Sequence, residues 1–127
     1  MKRLTAAQLA PYRAKKLAEQ GGRCALCGEA VAPGEEVTDH DHASGEIRGV
    51  LHRGCNAMLG HLENNRARNK LTSPTKFARF LANIASYLAA RREDPVYYPT
   101  HRTPDEKRDL KNKRARAARA AIKKGNQ

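Results

Sequence analysis

No tryptophan occurs in this chain, and phenylalanine and tyrosine together supply only six of its 127 residues. Hydrophobic residues of every kind reach 39%. A chain so short of large apolar side chains has little to bury, so a metal or a second chain is expected to help it fold. Long apolar runs are missing too. None approaches the roughly 18–20 residues a transmembrane helix needs, and Met1 is not followed by the apolar stretch of a signal peptide, so the expected setting is cytoplasmic. Cysteine is scarce. Three residues, two of them as Cys24-x-x-Cys27, would leave one thiol over in a disulfide framework and fit metal ligation in a reducing compartment better.

Acidic residues are the other deficit. Thirteen Asp and Glu face 25 Lys and Arg, a formal charge of +12, which concentrates a polyanion near the protein and speeds encounter with it. Between His101 and Gln127 there are ten Lys or Arg and three acids, a net of +7. The stretch from Asp105 to Lys124 permits a helix, with Thr103 or Asp105 as start signals. Its apolar side chains are mostly alanine, too small to anchor in lipid. No membrane partner is expected, and the segment reads as a solvated or nucleic-acid-docking arm that orders on binding.

What is present is organised by turns. Residues 3–19 read as a first helix, its regularity limited by Pro11 and its end set by Gly21-Gly22. Glu36 to His40 and Ile47 to Leu51 are β-prone, with Ala43-Ser44-Gly45 between them. A second helix is expected to start near Cys55-Asn56 and run to Leu62 or Ala67. Ser73 and Pro74 then suit the N-cap and first position of a third helix. Along it Phe77, Phe80, Leu81, Ile84, Tyr87 and Leu88 recur at three- and four-residue spacing. That face either packs on the first helix or meets a second copy of the chain.

Cys24-x2-Cys27 and His52-x2-Cys55 are separated by 24 residues. Two short-spaced pairs joined by a longer loop suit a tetrahedral zinc site, with each pair converging from one turn. All four positions are filled, so the expected role is structural. The competing reading, a redox pair Cys24/Cys27 with Cys55 an ordinary thiol, has no role for His52.

Between the pairs lies Asp39-His40-Asp41-His42. Four consecutive ionisable side chains at a strand end are costly unless they bind or react. A histidine can take a proton from water, and a carboxylate can hold a hard cation such as Mg²⁺. Strand alternation would set His40 and His42 on one face with Thr38, and Asp39 and Asp41 on the other. For chemistry the segment must turn near its end, so that Asp39 reaches a metal while His40 faces a scissile phosphate. Asn56 offers a second oxygen ligand. Other readings are a solvated turn, or His42 as an extra zinc ligand.

Cys24-Ala-Leu-Cys27, Asp39-His40-Asp41-His42, Gly45-x-x-Arg48-Gly49-Val50-Leu51 and Cys55-Asn56-Ala57-Met58-Leu59-Gly60 together resemble the recombination endonuclease VII family. These are phage nucleases of the HNH, or His-Me finger, superfamily. The resemblance implies a small α+β fold: a zinc-stapled ββα-metal core with N-terminal and C-terminal helices. The resemblance spans roughly residues 22–62; with the helix and charge patterns on either side the chain reads as a helix (1–21), the nuclease core (22–67), an amphipathic helix suited to dimerisation (68–92) and a basic arm (93–127). The resemblance also implies a Mg²⁺- or Mn²⁺-dependent endonuclease acting on branched or distorted DNA such as Holliday junctions, working as a homodimer in a phage-infected or prophage-carrying cell. By motif, Asp39 and Asn56 hold the catalytic cation, His40 is the general base and His42 assists at the phosphate. Arg48, Arg53, Lys111 and Arg114 are the expected DNA contacts. Two departures stand out: His52 replaces the usual cysteine, and Leu59 stands where the family carries a glutamate, with Glu63 one turn further on. General HNH nicking and non-catalytic zinc-dependent nucleic-acid binding are the rival functions.

Overall fold

Val37-Thr38 and Ile47-x-x-Val50-Leu51 supply the β-branched and large aliphatic residues of a hairpin, and the fold is built around it. In the computed structural model, which describes residues 2–126, β1 (Glu36–His40) pairs antiparallel with β2 (Ile47–His52). Before them comes α1 (Ala6–Glu19); after them come α2 (Arg53–Asn64), α3 (Pro74–Ala89) and α4 (Pro104–Gly125). The α+β class and the β-β-α order agree with expectation.

The hairpin is covered on both faces. Thr38 pairs with Val50 across the sheet, and on their side Arg13 Nε of α1 donates to Thr38 Oγ1 at 2.9 Å. Leu51 and Asp39 belong to the opposite face, toward α2. Successive residues Val50 and Leu51 are therefore both buried, although their side chains point opposite ways. Among the described residues the buried apolar set is only Cys24, Val50, Leu51 and Phe77. So small a core bears out the shortage of large side chains.

The register runs Glu36↔His52 through Asp39↔Gly49, then jumps to His40↔Ile47. Arg48 is the extra residue of this β-bulge. A bulge bends its strand and re-aims side chains. The turn beyond β1 is shaped by Asp41, whose Oδ1 accepts from the backbone N–H groups of Ala43 and Ser44, both at 2.8 Å. Those bonds hold the Asp41 carboxyl below its ordinary value. Asp41 therefore organises the hairpin turn, a local structural role that the acid-histidine run had obscured.

Helix α2 begins two residues earlier than expected. His52 ends β2, the chain enters the helix without a loop, and Arg53 N donates to Glu35 O at 2.9 Å. The start is thus fixed by a tertiary bond rather than a local cap. Helix α3 starts as expected, with Lys76 N donating to Ser73 Oγ. Phe77 is buried beneath the Arg66 guanidinium, 4.1 Å from the ring centre. Phe80, Leu81, Tyr87 and Leu88 are exposed. Among the described residues of the first unit α3 contacts neither α1 nor α2, so its apolar face is not covered by α1.

The chain divides into two units, Met1–Ala85 and Ser86–Gln127, with α3 running across the boundary. In the second, Thr103 Oγ1 accepts from Glu106 N at 3.2 Å and Pro104 occupies the first helical position. Helix α4 is continuous over 22 residues, with Asp105 and Glu106 at its start and Lys123 and Lys124 at its end, each favouring the helix dipole. No helix of the described residues is long and apolar enough to cross a membrane.

Candidate metal centre and the adjoining cleft

Gly21 and Gly22 end α1, and the chain turns at once into the cysteine knuckle. Cys24 N donates to Glu29 O at 2.9 Å, and Gly28 N to Cys24 O at 3.0 Å. Gly28 has φ +78°, which glycine adopts without steric cost. The knuckle brings Cys24 and Cys27 to the junction of β2 and α2, where His52 and Cys55 lie on either side of the helix start. One donor atom from each of the four lies within 4.8 Å of the others. The donor set is Cys3His, which fits a closed tetrahedral zinc site. This convergence argues against a separate redox pair.

The surroundings prepare these donors. His52 Nε2 lies 2.8 Å from Ala30 O, and donating its proton there leaves Nδ1, 3.2 Å from Cys27 Sγ, free to ligate. The bond to Ala30 is the largest cause that raises the metal-free His52 imidazole to about 9. Burial pushes the Cys24 thiol up, but backbone N–H donors from Cys27, His52 and Leu26 outweigh it and bring the thiol down to about 6. Desolvation pushes Cys55 up to about 11. The Ala30 carbonyl, being backbone, left no signal in the side-chain pattern.

On the α2 side of the hairpin is a cleft of about 240 Å³ whose lining includes Asp39, His42, Asn56, His61 and Glu63. Asp39 is 5% exposed. The structure therefore brings together three of the sequence-selected residues, Asp39, His42 and Asn56. His40 is exposed and does not line the cleft, but its ring centre lies 4.9 Å from that of His42. The register shift opposite Asp39 and His40 comes from the extra residue Arg48 in β2. His42 lies with this cleft and not among the four clustered donors, so the extra-zinc-ligand reading falls. A buried carboxylate from β1 and a carboxamide from α2 lining one cleft offer hard oxygen donors that suit Mg²⁺ or Mn²⁺.

Arg48 was expected at a phosphate. Here its Nε and Nη2 donate to Asp39 Oδ2 and Oδ1 at 2.8 and 3.1 Å, while Nη1 and Nη2 donate to Glu63 Oε2 and Oε1 at 3.0 and 2.9 Å. Arg48 in turn holds the Glu63 carboxyl below its ordinary value. Glu63 lies seven residues, about two turns, beyond Asn56, so helical spacing could have placed both on one face. Leu59 is half-buried and absent from the cleft lining. Arg53 is exposed, with Nη2 3.4 Å from Gly34 O. Lys111 and Arg114 are exposed on α4, one turn apart.

A family model described as recombination endonuclease VII matches residues 2–90, more than two thirds of the chain. The match covers the knuckle, the hairpin, α2 and all of α3.

Proposed function

The chain belongs to the recombination endonuclease VII family, and from that premise we propose that it is a cation-dependent endonuclease that hydrolyses DNA phosphodiesters and favours branched or distorted duplexes. The observation that carries this reading is the buried Asp39 carboxylate opening on one cleft with Asn56, beside the His40–His42 ring pair.

In this reading Asp39 and Asn56 hold Mg²⁺ or Mn²⁺, which when bound polarises the phosphate and offsets charge developing in the transition state. His40 takes the proton of the attacking water on an imidazole nitrogen. His42 limits the rotation of the His40 ring and stands at the phosphate side of the cleft. The four-donor zinc staple takes no part in proton transfer; it clamps the start of α2 against the hairpin and so keeps Asn56 in register with Asp39. Arg53, Lys111 and Arg114 contact the DNA backbone, and Arg48 joins them from the edge of the cleft when it gives up Asp39. The uncovered apolar face of α3 supports a homodimer.

The test uses zinc-loaded protein with a four-way junction and a linear duplex of the same sequence, with and without added Mg²⁺. Faster, Mg²⁺-dependent nicking of the junction is expected. Binding without cutting, in Mg²⁺ and in Mn²⁺ alike, would favour a zinc-dependent DNA-binding protein instead.

A further inference from the structure

Asp39 is almost wholly buried. An ionised carboxylate removed from water is costly unless it is paired. Its partner is Arg48, and the pairing depends on the bulge. In an unbroken register residue 48 would lie opposite His40 and on the face away from Asp39. The extra residue re-aims Arg48 to Asp39, and the guanidinium then presents two N–H groups to each of two carboxylates.

We propose that Arg48 is a positioning residue, the built-in counter-cation of Asp39, which gives way when a divalent ion binds, while Glu63 anchors the released guanidinium at the edge of the cleft. This rests on the reading that Asp39 belongs to the cation site. Two carboxylates share one guanidinium, so neither holds it alone. Removing Arg48 exposes Asp39 to an incoming cation and tightens cation binding. Removing the Glu63 charge leaves Arg48 to Asp39 only, and cation binding weakens. The two substitutions thus act with opposite signs.

The experiment titrates Mn²⁺ into the zinc-loaded full chain at fixed pH and ionic strength, reading free Mn²⁺ by electron paramagnetic resonance. Arg48→Met should tighten binding by about tenfold, the scale expected when a unit charge is removed at short range in a partly screened site. Its melting temperature without Mn²⁺ should fall below wild type, and Mn²⁺ should raise it by more than it raises wild type. Glu63→Gln should weaken binding several-fold. In the Arg48→Met background Glu63→Gln should have little further effect, because Glu63 acts through Arg48. Arg48→Lys, which keeps the charge but cannot bridge both carboxylates, gives a smaller tightening and a second reading if Arg48→Met does not fold.

Unchanged or weaker Mn²⁺ binding in the Arg48 variants would overturn the proposal. So would an equal loss on Glu63→Gln with and without Arg48, which would make Glu63 a direct ligand. Asp39→Asn separates the underlying reading. If it binds Mn²⁺ as wild type does, the cation site itself falls and this inference falls with it. If it abolishes binding while the Arg48 variants show no tightening, only the counter-cation role falls.

Discussion

Gln20 and Val50 bond as neighbouring strands would: Val50 N donates to Gln20 Oε1 and Gln20 Nε2 donates to Val50 O, both at 2.9 Å. Together with Ala25 N, which donates to Val50 O at 3.1 Å, this side chain closes the free edge of β2 where α1 ends. The same amide also donates to Arg23 O at 2.8 Å, tying in the entry to the cysteine knuckle. A Cβ on Gly49 would come within 3.3 Å of both Ala25 Cβ and Gln20 Oε1, so glycine is what permits this close approach.

Gln20→Ala should therefore destabilise the protein out of proportion to its size. Val50 is fully buried, and leaving its N–H unpaired costs about 1–3 kcal/mol. Urea unfolding of the zinc-loaded protein checks this; a loss well under 1 kcal/mol, with the same cooperativity, would mean that water or another group replaces the amide.

The zinc ligands were legible in full, because Cys24-x2-Cys27 and His52-x2-Cys55 are local spacings that the backbone can close by itself. The hairpin was legible from its β-branched residues, to within one residue at the end of β2. The roles of Gln20, Glu63 and Arg48 were not, since each depends on a partner 9 to 30 positions away. The β-bulge leaves no local mark beyond Gly49. Asp41 differs: its turn-forming role is local, but it stood within an acid-histidine run from which only Asp39, His40 and His42 were given roles.

Cys24→Ser should lose the fold along with the metal. Cys24 is both a zinc donor and one of the few buried core residues, and zinc binding in small modules contributes of order 10 kcal/mol to folding. Circular dichroism and zinc analysis of the variant should show a loosened chain without stoichiometric zinc. Normal melting with a full complement of zinc would contradict the staple.

Zinc uptake should release protons, and its affinity should rise with pH across the neutral range. In the metal-free chain Cys55, raised to about 11, and His52, raised to about 9, both carry protons near pH 7, and both must lose them to ligate. A weakly buffered indicator assay should record acidification on adding zinc. Affinity that is flat with pH would mean that these two groups are not ligands.

Deleting residues 105–127 removes most of α4, whose side chains are exposed apart from a half-buried Ala115. DNA affinity should fall, and the slope of log affinity against log salt should flatten by about one unit per lost phosphate contact. An unchanged slope would show that the basic helix does not touch DNA.

The central claim, that the groups around the Asp39 cleft cut DNA while the zinc staple only holds them, is tested most directly by His40→Ala. Cleavage of a four-way junction in Mg²⁺ should drop by about 10²–10⁴-fold, with zinc content and melting temperature unchanged. Cleavage within a few-fold of wild type, by a variant just as stable and just as rich in zinc, would contradict it.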